Sequence, residues 1–390
     1  MLPLEGVRVV EFAHMVMGPS CGLVLADLGA EVIKIEPLGG DNTRRLEHAG
    51  SGFFPVFNRN KKSLALDLQH PEGKEIVLKL LATADVLTEN FRPGALDRLG
   101  LSYQDLKPRN PRLIYCSLKG FLHGPYEHRP ALDEVTQMMG GLAYMTGLPD
   151  RPLRAGSSVV DILGGTFAAV GILAALRERE TTGRGKHVTS ALFESTAYLV
   201  AQHMAQYEIT GEAPPPMSVK RPAWGVYDIF ETAGGGRLFI GVVTDTQWEV
   251  FCREFKQDSL AQDARLQTNS MRVKERAWLI PRVNEITRKF DATELAAKLE
   301  AMGMPFAPIA KPWDLLDDPH LTASGGLLET RYRGKTSHIP ALPIELDGRR
   351  LEKRSDPPEV GQNARELLAG LGYSAAAIDK LAAEGIIALP

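Results

Sequence analysis

Asp161 stands where a predominantly apolar helical stretch begins, in SSVVDILGGTFAAVGILAAL. Two readings fit it. As an N-cap, its carboxylate accepts hydrogen bonds from the first-turn amides. As a functional group it uses the same geometry, because a helix N-terminus favours a carboxylate anion and keeps it ionised. Gly164-Gly165 in the first turn then lets a ligand or another backbone come close. An ionised Asp in a dry site can act as a covalent nucleophile. The pattern alone leaves both readings open. Arg92 and Arg98, in ENFRPGALDRLG, bracket a loop-to-helix segment. They can form surface salt bridges, or, with Asn90 and Phe91, seat a phosphate and stack on a purine. His14 lies near the first turn and stays unassigned. Lys61-Lys62, in NRNKKSLALDL, is a short basic step before a strand, and solvation explains it equally well.

Common cofactor signatures are missing. The first turn reads AHMVMGPS and holds one glycine, Gly18, where a dinucleotide fingerprint needs three; Glu36 ends the next strand where a ribose ligand would sit. No GxxxxGK[ST], HExxH or GxSxG occurs, which removes the usual ATPase, zinc-protease and serine-hydrolase readings. Cys21, Cys116 and Cys252 lie far apart without CxxC spacing, so neither a disulfide framework nor a metal site is expected.

The elements that must position these residues alternate. Val7 to Phe12 reads as a buried strand, Gly18 to Leu28 as a helix ended by Gly29, and Glu31 to Glu36 as a second strand. Ser63 to Leu68, Val86 to Glu89 and Leu113 to Leu118 read as further strands, and Pro71 to Ala82 as a helix. Such alternation argues for an α/β parallel sheet covered on both faces. A long helix runs from Asp161 to about Glu180, a strand from Lys186 to Ser190, and a helix from Phe193 to Thr210. The proline-rich stretch Gly211 to Pro222 is the best linker candidate. Beyond it lies a smaller α+β domain over 223–319. There Tyr227 to Thr232 and Arg237 to Val243 flank a glycine turn, and Arg272 to Phe290 reads as one helix. Residues 320–390 return with short strands and two terminal helices.

A chain of 390 residues exceeds one ordinary domain, and 44% hydrophobic with 24% charged residues is globular composition. A formal net charge of −3 gives no electrostatic reason to expect nucleic acid. MLPLEGVRVVEF lacks the features of a secretion signal. No apolar run approaches the ~20 residues of a membrane helix. Val159 to Leu176 comes nearest, and Asp161 with its small residues makes it a buried core helix. The expectation is a cytoplasmic protein with no membrane partner.

Taken together, LEGVRVVEF, GPS with LADLGAEVIKIEP, Gly39 to Asp41, NRNKKSLALDL, ENFRPGALDRLGL, NPRLIYCSLKGF and the Asp161 helix through ALRERETTGRG resemble the class III CoA-transferases of the CaiB/BaiF type. That family includes formyl-CoA transferase and carnitine CoA-transferase, and the resemblance extends over nearly the whole chain. It implies a Rossmann-like large domain, 1–210 completed by 320–390, with the small domain inserted, in an interlocked homodimer. It implies that Asp161 is the nucleophile, forming an aspartyl anhydride and then an aspartyl-CoA thioester as coenzyme A moves from an acyl-CoA donor to a carboxylic acid acceptor. Val16 and Met17 would line the CoA pocket, Leu66 and Asp67 approach adenine, and Asn90, Phe91, Arg92 and Arg98 contact CoA. CoA is a substrate, and no cofactor or metal is implied. The related α-methylacyl-CoA racemases carry a histidine before the Asp that is Asp133 here; this chain has Leu132, which argues against that alternative. Asp161 argues against a third, a catalytically silent CoA-binding protein. The hairpin RPAWGVYDIFETAGGGRLF is more similar to that of carnitine-type members, which points away from oxalate and formyl-CoA as substrates.

Overall fold

The computed structural model describes residues 2–219 and 222–390, so Lys220 and Arg221 of the expected linker lie outside the described residues. The chain divides into two compact units, one of Met1–Ser218 with Pro319–Pro390 and one of Val219–Asp318.

The larger unit is built on six strands: β1 (Arg8–Phe12), β2 (Glu31–Glu36), β3 (Lys61–Ala65), β4 (Val86–Glu89), β5 (Ile114–Lys119) and β6 (His187–Ala191). Their order is β3-β2-β1-β4-β5-β6, and every neighbouring pair is parallel. Successive side chains of a strand point to opposite faces, and both faces here are apolar. Val10, Ile33, Leu64, Leu87 and Tyr115 pack on the helix Pro71–Thr83 and the helices Ala364–Gly370 and Ala375–Ala383. Val9, Val32, Val86, Ile114 and Cys116 pack on the helices Met17–Asp27 and Val159–Thr182. Two-sided burial is what a parallel sheet requires. The outer edge of β3 is closed by the returning segment: Asn363 N donates to Ser63 O at 3.1 Å, and Ala388 N to Ala65 O at 2.9 Å.

The helix Val159–Thr182 crosses from the β5 side back to β6. Its far end lies by the start of β5, where Gly185 N donates to Pro111 O at 2.9 Å. Ser190, late in β6, donates to Gly164 O at 2.8 Å. The first turn of this helix therefore sits at the carboxyl edge of the sheet. The sequence led us to expect no membrane-length apolar run. Among the described residues this one helix does reach the length and composition to cross a membrane, with an 18-residue window of mean hydropathy 2.1 that is 39% buried. Its packing on the sheet accounts for the apolar composition of the inner face. It is a core helix along its inner face, through Val160, Ala168, Ala169, Ile172 and Ala175, while Ile162, Phe167 and Val170 are exposed.

In the smaller unit, β7 (Val226–Glu231) and β8 (Arg237–Val242) form an antiparallel hairpin, and β9 (Phe306–Pro308) pairs with β8. The turn passes through Gly234 and Gly235 at φ +75° and +84°, which glycine adopts without steric penalty. Phe230, Ile240, Trp248, Phe251, Leu279 and Leu295 form its core. The single helix expected over Arg272 to Phe290 is two, Asn269–Lys274 and Arg276–Thr287, because Glu275 leaves helical geometry at φ −90°, ψ 6°.

Candidate active site

In a parallel sheet the ligand crevice lies beyond the carboxyl ends of the strands, where the strand order reverses. Here that point is between β1 and β4. The residues following β1 are His14 to Met17, and those following β4 are Asn90 to Arg92. Asn90 ties the two together: its Oδ1 accepts from His14 N at 3.0 Å, and its Nδ2 donates to His14 O at 2.7 Å. The His14 and Phe91 rings stack with centroids 5.5 Å apart.

Asp161 reaches the same edge through helix packing. A Cβ on Gly164 would lie 2.6 Å from Met17 Cε, and one on Gly165 would lie 2.5 Å from Met17 O. Gly165 thus admits the backbone of the helix Met17–Asp27, and Gly164 admits the Met17 side chain, so both approaches are filled from within the chain. Met17 stands directly under the first turn that carries Asp161.

Asp161 is the third residue of its helix and does not cap it. That work is done by Asp133, 28 residues earlier, whose Oδ2 accepts from Val160 N at 3.0 Å and from Asp161 N at 3.2 Å. Gln137 Nε2 donates to Asp133 Oδ1 at 2.6 Å, and Arg154 Nη2 lies 3.3 Å from the same oxygen. Sequence reasoning missed this role of Asp133, since its only signal was adjacency to Leu132 in PALDEV. With the cap supplied from elsewhere, the Asp161 carboxyl makes no hydrogen bond among the described residues and is half-buried. The expectation that the helix terminus keeps it ionised is also corrected. Burial, and then the neighbouring Asp133 carboxylate, raise its pKa to about 7, against the opposing pull of Arg154.

The other candidate residues divide by exposure. Val16, Met17 and Leu66 are buried, and Leu66 bridges to Ile387 of the returning segment. Asp67 is half-buried, its N donating to Ile386 O at 2.9 Å and its Oδ1 accepting from Gln69 N at 2.8 Å. Phe91 is half-buried, and its carbonyl accepts from Lys119 Nζ at 2.9 Å. Arg92 and Arg98 are exposed. The salt-bridge reading fails for both, because no carboxylate lies within 4.0 Å of either among the described residues.

Two other readings change. Glu36 is not free for a ribose: Arg44 grips its carboxylate with two 2.7 Å contacts, and Ser63 Oγ donates to it at 2.6 Å. Lys61 is not a solvated step, because it is buried with Nζ 2.8 Å from Glu11 Oε2; only Lys62 reaches solvent.

Comparison with known proteins agrees with this architecture. The family model described as CoA-transferase family III matches residues 4–364. The succinyl-CoA–D-citramalate CoA-transferase of Chloroflexus aurantiacus is 34% identical over 384 residues, covering 95% of this chain and 94% of the relative. The succinyl-CoA:glutarate CoA-transferase of Mus musculus is 34% identical, covering 99% of this chain and 91% of the relative. Among solved structures, a CaiB/BaiF family protein from Brucella suis superposes with a TM-score of 0.84 at 35% identity, covering 95% of this chain and 99% of that one. The match runs through both units and through the segments that carry Asp161, Asp133 and the β1 turn, and so this chain belongs to CoA-transferase family III.

Proposed function

We propose that this enzyme moves coenzyme A from an acyl-CoA donor to a carboxylic acid acceptor through covalent intermediates on Asp161. The observation that carries the reading is the Asp161 carboxyl itself, placed at a helix terminus yet released from capping by Asp133. A carboxylate with no internal partner in a half-dry site is an exposed nucleophile. Its Oδ attacks the donor thioester carbonyl, the C–S bond breaks, and CoA leaves as thiolate from an aspartyl–acyl anhydride. The thiolate then attacks the aspartyl carbonyl of the anhydride, releasing the donor acid as carboxylate and leaving an aspartyl-CoA thioester. The acceptor carboxylate attacks that thioester to form a second anhydride, and the returning thiolate takes the acceptor acyl group and frees Asp161. Electrons balance without oxidant, reductant or metal, and CoA enters as substrate. Arg92 and Arg98, exposed and with no carboxylate partner among the described residues, are suited to the phosphates of CoA. Asn90 and Phe91 hold the facing turn, with Val16, Met17, Leu66 and Asp67 on the remaining walls of the same edge.

Racemisation needs a second base beside the helix aspartate. Leu132, 67% exposed, occupies the position where the resemblance puts the racemases' histidine. Succinyl-CoA, in the names of the citramalate and glutarate relatives, is the first donor to test, against a panel of mono- and dicarboxylic acids. Hydroxylamine added during turnover traps a hydroxamate on Asp161 if the acyl-enzyme chemistry is right. Turnover by Asp161→Asn near the wild-type rate would remove the reading.

A further inference from the structure

Under the turn that joins β1 to the helix Met17–Asp27 lies a buried ionic chain. Glu11, Lys34, Asp41 and Lys61 are all buried. Lys61 Nζ stands 2.8 Å from Glu11 Oε2, and Lys34 Nζ stands 3.5 Å from Glu11 Oε1 and 2.9 Å from Asp41 Oδ2. Taking ions out of water costs several kcal/mol for each, and apolar residues of the same volume often stabilise a core as well. What distinguishes these ions is where their remaining protons go. Lys34 Nζ donates to Ala13 O at 2.5 Å, and Lys61 Nζ donates to Pro19 O at 3.0 Å. Those two carbonyls bracket residues 14–18. Inside the bracket, Asn90 grips both sides of the His14 main chain. Met15 is held at φ +64°, a region that residues other than glycine seldom occupy and keep only when their surroundings impose it. Gly22 completes the seat, since a Cβ there would fall 1.7 Å from Glu11 Oε2.

We infer that the Lys34–Glu11–Lys61 chain is a positioning device that holds the turn 14–18 in the conformation that receives the acyl-CoA. The inference rests on the function proposed above. The three side chains touch no substrate and act through the two clamped carbonyls. Lys61 brings a pH signature. The groups facing it are Glu11 from β1, Lys34 from β2, Cys21 and the Pro19 carbonyl from the helix, and Asn58 from the loop before β3. Burial outweighs the attraction of Glu11 and lowers its pKa to about 8. The clamp on Pro19 O therefore loses its charge in mild alkali.

The test measures CoA binding by calorimetry between pH 7 and 9, with melting temperature recorded alongside. Glu11→Met combined with Lys61→Met removes one charge of each sign and leaves the Lys34–Asp41 pair neutral. The expected result is a Kd for CoA raised at least tenfold at pH 7, with the melting temperature little changed. Wild-type affinity should fall as pH rises through about 8, and the double variant should show no such fall. A folded double variant that binds CoA as tightly as wild type overturns the inference. If the double variant does not fold, the profile of Asp161→Asn decides, because it removes the other group that titrates in this range: a fall through pH 8 supports the device, and a flat profile overturns it. Wild-type protein that binds no CoA at pH 7 overturns the functional reading, and this inference with it, which is a different result from either of the others.

Discussion

At neutral pH a carboxyl with a pKa of about 7 divides its population between acid and anion, and Asp161 is such a group. Because its folded pKa lies above the ordinary carboxylate value, the folded state binds this proton more tightly than the unfolded chain does. The stabilisation is present below pH ~4 and is lost as pH rises through about 7, a change of about 4 kcal/mol at most. Asp161→Asn should therefore raise the melting temperature at pH 8, leave it unchanged at pH 4, and abolish transfer. A capping Asp predicts no stability gain at pH 8, so one pair of melting curves separates the roles. For the wild type, kcat/KM should rise through pH ~7 as the nucleophile ionises. Arg92→Ala and Arg98→Ala should each weaken CoA binding about tenfold in low salt, with unchanged stability because neither guanidinium has a carboxylate to lose. Unchanged CoA affinity in both variants would exclude them from the site. Asp161 was visible in the sequence because a carboxyl at the start of an apolar helix is conspicuous. Its lack of a capping role was not visible, because the residue that replaces it, Asp133, comes from a different helix.

The packing of the long helix on the helix Met17–Asp27 makes neighbouring glycines unequal. Gly165→Ala sets a Cβ against the main-chain oxygen of Met17, which cannot move aside, and should destabilise the protein by about 1–3 kcal/mol. Gly164→Ala meets the flexible end of the Met17 side chain, and the gain in helix propensity of up to about 1 kcal/mol offsets much of the strain. Thermal melts should rank Gly165→Ala well below Gly164→Ala, and equal losses would contradict the packing described. Strand limits such as Glu31–Glu36 and Val86–Glu89 were legible, since short apolar runs between turn residues leave little choice. The burial of Lys61 was not, because its partner Glu11 lies 50 residues away on β1, two strands over, which local pattern cannot bring within reach. The break at Glu275 also escaped, because helical periodicity continues on both sides of it.

Across the larger unit, exposed apolar residues gather on three elements: Phe167 and Val170 on the long helix, Met138 and Met139 on the helix Asp133–Met139, and Tyr198, Met204, Tyr207 and Ile209 on the helix Leu192–Thr210, the last of them 83% exposed. Such a surface is a poor neighbour for water and suits a second copy of the chain. The interlocked homodimer that the resemblance implies predicts a dimer in sedimentation that persists at nanomolar concentration, and a monomer on dilution would refute interlocking. The α/β class was readable from alternating elements, whereas this surface was not, because an apolar residue in a helix looks the same whether it faces the sheet or a partner. The edge of β3 and the apolar layer over it are completed by residues 363–388, which also supply Leu367, Leu368, Ile378 and Leu381 to the core. During synthesis the first two hundred residues must leave the ribosome with Leu64 and Ile76 uncovered, and must wait through the whole of the smaller unit before their cover arrives. Removing residues 363–390 should therefore leave that layer bare and send the protein into the insoluble fraction, and a truncated chain as soluble as the whole would show the cover to be dispensable.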